Sequence, residues 1–173
     1  SGMDTDPDAE LVPNANFAAT VYHGLPVDLL RPTGPRGDYV AFLGRIAPEK
    51  RPDRAIAIAR ALGIPLKIAA KVDRVDEAYF RSEIEPLLNH PGIEYVGEID
   101  DRHKSRFLGE AHALLFPINW PEPFGLAMIE AMACGTPVLA FRNGAVAEVI
   151  DEDASRGVAG HPAGNYRTGR IGF

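Results

Sequence analysis

Two glutamates, Glu122 and Glu130, flank the start of a predicted helix with seven residues between them. Glu122 lies in the preceding loop, whereas Glu130 is the only charged residue in an apolar helix body. A buried carboxylate is costly unless it is paired or hydrogen-bonded, and a carboxylate can accept two hydrogen bonds from the paired hydroxyls of a ribose. Alternatively, Glu130 is exposed or pairs with a nearby arginine, and Glu122 is an acid favoured by the helix dipole. Residue types alone leave both interpretations open.

The predicted helix that contains Glu130 begins with Phe124, Gly125 and Leu126. The first amides of a helix have no acceptor within the helix, and the positive end of the helix dipole suits an anionic or hydroxyl-rich ligand. Gly125 has no side chain and allows a ligand to approach the backbone closely. This segment therefore extends the candidate site beyond the two acids.

Two cations follow an earlier predicted strand, at Gly44-Arg45 and at Lys50. Arginine can hold phosphate oxygens in a bidentate fork, and lysine can add a point charge, so the two could converge on one anion. The alternative is a solvated basic loop. No glycine-lysine-Ser/Thr run of a P-loop is present, and the segment after Leu43 has one glycine where a dinucleotide-binding fingerprint needs three.

Apolar runs closed by glycine or proline alternate with helical patterns along the chain. The alternation predicts an α/β fold, a Rossmann-like three-layer α/β/α arrangement with a parallel sheet, whose ligands bind at the carboxyl ends of the strands. The predicted strands are 20–22, 39–43, 66–70, 93–96, 113–116 and 137–140, and the predicted helices are 54–62 (with Pro52 at its first position), 77–88, 102–111, 124–133 and 145–150. Residues 1–19 are predicted to be a flexible lead-in, 20–150 the Rossmann-like domain, and 151–173 an irregular tail.

Composition narrows the classes of function. A net charge of −6 argues against a broad nucleic-acid-binding face, and no apolar run approaches the length of a membrane span. The five histidines show no spacing typical of a metal site, so no metal is expected. Cys134 is the single cysteine, which excludes an internal disulfide and favours a reduced, cytoplasmic protein.

Three segments together resemble a known family: GRIAPEKRPDRAI, IEYVGEID and ALLFPINWPEPFGLAMIEAMACGTPVLAFRNGAVAEVI. They are similar to the C-terminal, nucleotide-sugar-binding half of the retaining GT-B glycosyltransferases known as group 1, which are like glycosyltransferase family 4. The resemblance covers about residues 21–150. Its most specific part is the Glu-x(7)-Glu motif formed by Glu122 and Glu130.

The resemblance implies a role for each matching residue. Arg45 and Lys50 would bind the donor diphosphate and stabilise the leaving group, Glu122 would contact the sugar hydroxyls, and Glu130 would hold the ribose. Gly97–Ile99 would face the base, and backbone amides at the start of the helix would lie against sugar and phosphate. The implied catalytic residues are Arg45, Lys50 and Glu122, and the implied donor-binding residues are Gly44, Gly97, Ile99, Phe124, Gly125, Leu126 and Glu130.

The resemblance also implies a donor of the UDP or GDP type and no cofactor. GT-B enzymes have two Rossmann-like domains, so an N-terminal acceptor-binding domain is expected as the missing partner, and the chain alone is expected to be inactive. Any peripheral membrane association would come through the full-length enzyme. Two alternatives are a non-catalytic nucleotide-binding module and a GT-B-fold nucleotide-sugar epimerase, the second disfavoured by the sequence EPFG at 122–125.

Overall fold

A computed structural model of the chain describes residues 18–19, 21–26 and 28–150, together with the backbone of residues 166–169. Within these residues, the strands form one sheet in the order β3-β2-β1-β4-β5-β6, in which the first five are parallel and β6 runs antiparallel to β5. The strands are β1 (Val40–Arg45), β2 (Leu66–Lys71), β3 (Ile93–Gly97), β4 (Leu114–Phe116), β5 (Val138–Phe141) and β6 (Tyr166–Gly169).

Helices connect the parallel strands, as the alternating sequence pattern predicts. Their bounds are α1 (Pro52–Leu62), α2 (Glu77–Tyr79), α3 (Glu85–Leu88), α4 (Asp101–Gly109), α5 (Leu126–Ala133) and α6 (Val146–Val149). Single 3-10 turns cover Pro48–Lys50 and Arg74–Asp76. The predicted Rossmann-like fold with a parallel sheet is confirmed.

Alternate residues of β1 point into two different apolar cores, because side chains alternate across a strand. Ala41 and Leu43 pack with residues of α4, α5 and α6, whereas Val40 and Phe42 pack with α1 and the segment around Ile84. Burial of both sheet faces explains why the parallel strands read as continuous apolar runs.

Helix α1 begins and ends as its sequence predicts. Pro52 occupies the first turn, where a missing amide hydrogen costs no hydrogen bond. Gly63 follows the last residue with a φ of 64°, a left-handed conformation in which its amide donates to Ala59 and Arg60 carbonyls.

The helix predicted over 77–88 is continuous but not uniformly α-helical. Between α2 and α3, Phe80–Ile84 form a π-helical segment, and the Glu85 amide donates to the Phe80 carbonyl. Pro86 has no amide hydrogen for the next helical bond, and the wider turn before it accommodates that loss without ending the helix.

Near both ends of the predicted domain, the secondary structure differs from the one that the sequence pattern predicts. Val21 and Tyr22 do not belong to a strand, and Thr20 lies outside the described residues. Near the other end, Tyr166–Gly169 form the edge strand β6 within a segment whose sequence shows no strand pattern. The rest of 151–173 and residues 1–17 lie outside the described residues, so the lead-in, the tail and the domain boundaries stay predictions.

Candidate functional site

A cleft of about 400 Å³ opens between the carboxyl ends of β1 and β4. These strands are neighbours in the sheet but are separated in the chain by β2 and β3, so the connections that leave them diverge, which is where open α/β sheets bind ligands. The Asn119 amide donates to the Glu49 carbonyl at 2.9 Å and joins the two loops. Six of the predicted site residues line the cleft: Gly44, Lys50, Glu122, Phe124, Gly125 and Leu126.

Lys50 and Glu122 meet in this cleft. The Lys50 ammonium lies 2.5 Å from Oε2 of Glu122 and 5.0 Å from the centre of the Trp120 ring. The indole Nε1–H of Trp120 donates to the same Glu122 oxygen at 2.9 Å. The side chain of Glu122 is only 11% exposed, so both donors compensate a carboxylate that is largely removed from water.

The backbone of the Glu122 loop rests against Gly144. The Ala145 amide donates to the Glu122 carbonyl at 2.8 Å, and the Asn143 side-chain amide donates to the Ile118 carbonyl at 2.8 Å. Gly144 has a φ of 56°, and a Cβ there would lie 2.3 Å from the Glu122 nitrogen. The backbone of the Glu122 loop thus packs directly against Gly144, at a position that leaves no room for a side chain.

Arg45 does not meet Lys50 in the cleft. Its guanidinium lies 2.7 Å from Glu49 and 3.6 Å from both Asp73 and Asp76, on the β2 side of β1. The hydrogen bond to Glu49 raises the pKa of Arg45 above its ordinary value. The structure therefore does not show the two cations converging on one point. To reach a ligand in the cleft, Arg45 would have to leave these carboxylates and bind the ligand in their place.

Lys50 is followed by a residue in an unusual conformation. Arg51 has a φ of 54° and stands between the 3-10 turn that carries Lys50 and the first turn of α1. Its guanidinium binds both carboxylate oxygens of Asp53, at 2.9 and 2.7 Å. This pairing lowers the pKa of Asp53. Its favourable free energy opposes the conformational strain of a left-handed backbone at Arg51, which is not a glycine.

The start of α5 forms another wall of the cleft. Gly125 precedes the helix with a φ of 85°, and its carbonyl accepts from the Met128 amide at 2.9 Å. The ring of Phe124 lies 5.1 Å from the ring of His23, which also lines the cleft. The predicted close approach to backbone at Phe124–Leu126 is compatible with this geometry.

Glu130 lies outside the cleft lining, on the buried side of α5. Its carboxylate accepts from the Lys104 ammonium at 2.8 Å, and Lys104 also lies 3.1 Å from Asp101. An ion pair is the alternative that the sequence left open for Glu130, although its partner is a lysine of α4 and not an arginine. Gly97 and Ile99 are likewise outside the lining, with Gly97 ending β3 at a φ of 77° and Ile99 packed against the core.

Sequence reasoning missed three residues that organise the site: Trp120, Lys104 and Gly144. Trp120 lies two residues before Glu122 and is the single tryptophan of the sequence, so it carried an available signal. Gly144 lies 22 residues after Glu122, and its only signal is that it belongs to the segment that resembles the family. Lys104 lies 26 residues before Glu130 and has no such signal.

The reactivity of the buried Cys134 thiol tests whether the core beneath α5 opens to solvent. Burial raises the pKa of its thiol to about 11, so at pH 8 only about one thiol in a thousand is the reactive thiolate. We expect a thiol-specific reagent to label the folded chain slowly and the urea-unfolded chain rapidly. Fast labelling of the folded chain at pH 8 would show that this part of the core opens readily.

The described residues contain no group of three or more histidine, cysteine, aspartate or glutamate side chains that could hold a metal ion. Over the same residues, no helix has both the length and the apolar character needed to cross a bilayer.

Comparison with known proteins identifies the family. The family described as "Glycosyl transferases group 1" matches residues 32–166, which is more than half of the chain. The chain is 32% identical over 179 residues to the phosphatidyl-myo-inositol mannosyltransferase of Mycolicibacterium smegmatis, covering 96% of this chain and 43% of the relative. It is 35% identical over 112 residues to the GDP-mannose-dependent alpha-(1-6)-phosphatidylinositol dimannoside mannosyltransferase of Mycobacterium tuberculosis, covering 64% of this chain and 29% of the relative.

Among solved structures, AviGT4, a glycosyltransferase involved in avilamycin A biosynthesis, superposes with a TM-score of 0.68 at 26% identity. The match covers 82% of this chain and 43% of AviGT4. The chain thus spans less than half the length of each relative described here. Its parallel sheet and flanking helices have the Rossmann-like architecture of GT-B enzymes. The chain belongs to the group 1 glycosyltransferases and is a glycosyltransferase domain with this fold.

Proposed function

We propose that the chain is the donor-binding domain of a retaining hexosyltransferase and binds a nucleoside-diphosphate sugar in the cleft between β1 and β4. The observation that carries this proposal is the meeting of Lys50, Glu122 and the start of α5 in one 400 Å³ cleft. A cation, a hydroxyl acceptor and free helix amides are the three kinds of group that a diphosphate joined to a sugar requires.

The diphosphate would lie between Lys50 and the first turn of α5. When the bond between sugar and diphosphate breaks, negative charge builds up on the leaving phosphate, and a nearby ammonium stabilises it. The positive end of α5 acts in the same direction. Arg45 would add a second cation by exchanging Glu49 for phosphate, as the family resemblance implies.

The two glutamates would recognise the hydroxyl-bearing parts of the donor. Glu122 already lines the cleft, so a hexose attached to the diphosphate would lie within reach of its carboxylate. Glu130 would bind the ribose hydroxyls, with Gly97–Ile99 near the base, and would give up part of its contact with Lys104. These assignments rest on the resemblance, and the geometry supports the one for Glu122 most directly.

GDP-mannose is the donor that we propose to test first. The mannosyltransferase relative that is 35% identical to this chain is named as GDP-mannose-dependent. A uridine nucleotide is the alternative, since the family resemblance implies a donor of either type.

We also propose that transfer requires an acceptor-binding half, so that the chain alone binds the donor without turning it over. Transfer with retention of the anomeric configuration is part of the same proposal, as is a cytoplasmic location. The two-domain organisation of the family and the partial coverage of the relatives support the first of these points.

Calorimetric titration of the chain with GDP, UDP and ADP tests the donor site. We expect one nucleoside diphosphate to bind with a dissociation constant in the high-micromolar to millimolar range. Glu130→Ala should weaken that binding, because a carboxylate that binds the ribose hydroxyls is removed. Absence of heat with all three nucleotides at millimolar concentration would contradict the proposed function.

A further inference from the structure

Two donors bind the same oxygen of Glu122. The Lys50 ammonium and the Trp120 indole N–H both reach Oε2, at 2.5 and 2.9 Å. Among the described residues, the hydrogen bonds to the Glu122 carboxylate are both made to Oε2. Glu122 lines the cleft, so a ligand hydroxyl there would find Oε2 already bound by two protein donors and would bind Oε1.

The two donors would respond differently to a bound diphosphate. Lys50 has a flexible stem and a charge that the phosphate attracts, so the ammonium would turn from Glu122 toward the ligand. Trp120 carries no charge, and its half-buried ring packs against the core. Its indole N–H would therefore stay on Oε2 after Lys50 has moved.

We propose that Trp120 is a positioning residue that keeps Glu122 oriented while the donor is bound. The indole N–H holds Oε2, and Oε1 is thereby presented to a hydroxyl of the donor sugar. This inference rests on the proposed function and goes further by assigning sugar recognition to a residue that acts through Glu122 without touching the diphosphate.

A comparison of GDP with GDP-mannose isolates this role. Trp120→Phe keeps an apolar ring and removes the N–H, so we expect GDP affinity to stay within about twofold of the unsubstituted chain. Affinity for GDP-mannose should fall by about fivefold or more relative to GDP, because the hydrogen bond from the sugar is lost with the orientation of Glu122. Calorimetric titrations of both ligands give the ratio directly.

Two further variants make the result specific. Trp120→His places its Nε2–H at the ring position of the indole N–H, and at pH 8, where the imidazole is neutral, it should restore most of the lost preference for GDP-mannose. Tyr39→Phe removes a hydroxyl that donates to the Phe107 carbonyl at 2.7 Å, away from the cleft, and should leave the ratio of GDP-mannose affinity to GDP affinity unchanged.

The outcomes separate the inference from the function on which it rests. If Trp120→Phe weakens both ligands equally, or neither, Trp120 does not position Glu122 for the sugar and the inference is overturned. If the unsubstituted chain binds neither GDP nor GDP-mannose, and no other nucleoside diphosphate, the donor site itself is overturned together with this inference.

Discussion

Replacing Lys50 with methionine should weaken the binding of GDP by at least about tenfold and leave the binding of guanosine unchanged. Hydrogen bonds to charged groups contribute roughly 1.5–3 kcal/mol, and Lys50 is the cation that lines the cleft. Guanosine lacks the diphosphate, which is the part of the ligand that Lys50 is proposed to bind. Titration calorimetry of both ligands measures the difference.

Arg45→Ala should show the same selectivity for the diphosphate with a smaller loss of affinity. Arg45 does not line the cleft, and three carboxylates surround its guanidinium, those of Glu49, Asp73 and Asp76. A contact with phosphate would therefore require Arg45 to leave three carboxylates, whereas Lys50 leaves one. A variant of either cation that weakens GDP and guanosine equally would contradict the assigned role.

Lys67 offers a matched control for Lys50. Its ammonium lies 3.3 Å from Glu94 and 4.7 Å from the centre of the Tyr39 ring, which repeats the combination of a carboxylate and an aromatic ring away from the cleft. Lys67→Met should leave the affinity for GDP unchanged. A loss comparable to that of Lys50→Met would mean that a general change in charge, and not the cleft, governs binding.

Replacing Gly144 with alanine should destabilise the fold by about 3 kcal/mol or more. The new Cβ would lie 2.3 Å from the nitrogen and 2.4 Å from the carbonyl oxygen of Glu122, and backbone atoms cannot move aside as a flexible side chain can. A φ of 56° adds strain for any residue with a Cβ. Urea-induced unfolding measures the change in the free energy of unfolding.

Gly63→Ala separates the clash from the backbone strain. Gly63 has a φ of 64°, close to that of Gly144, but a Cβ there would meet nothing within 4 Å. We expect Gly63→Ala to cost only about 1 kcal/mol, which is the strain of the left-handed conformation alone. Equal destabilisation by the two substitutions would show that the Glu122 loop yields to the new side chain.

The fold was predictable because its signals are local. The apolar run around Tyr39–Leu43, the proline that begins α1 and the glycine that ends it are each read from a few adjacent residues. The position of the cleft followed from the rule for parallel sheets, which places the loops after β1 and β4 at one edge. That rule applies to every parallel strand, and the family resemblance singled out Lys50, Glu122 and Phe124–Leu126 from these loops as one site.

The partners of the charged residues could not be predicted in this way. Lys104 meets Glu130 across 26 residues of sequence, and Lys50 meets Glu122 across 72, distances at which no periodic pattern links two positions. Arg45 was expected to face a ligand, yet the 3-10 turn and the loop after β2 place three carboxylates around it. The sequence shows which residues carry charge, whereas the packing of loops decides which charges meet.

The two part-buried lysine–carboxylate pairs have a consequence for fragments of a ligand, such as free phosphate or a free sugar. Free phosphate that took Lys50 from Glu122 would leave that carboxylate with the Trp120 indole alone, and a free ribose that took Glu130 would leave Lys104 with Asp101 alone. A charged group that is largely removed from water loses free energy when it keeps only one of two partners, and this loss opposes the gain from the new hydrogen bond. Under the proposed function, a molecule that carries phosphate and hydroxyl groups together would replace the contacts that it displaces, so the paired charges would favour a nucleotide-sugar over small anions and free sugars.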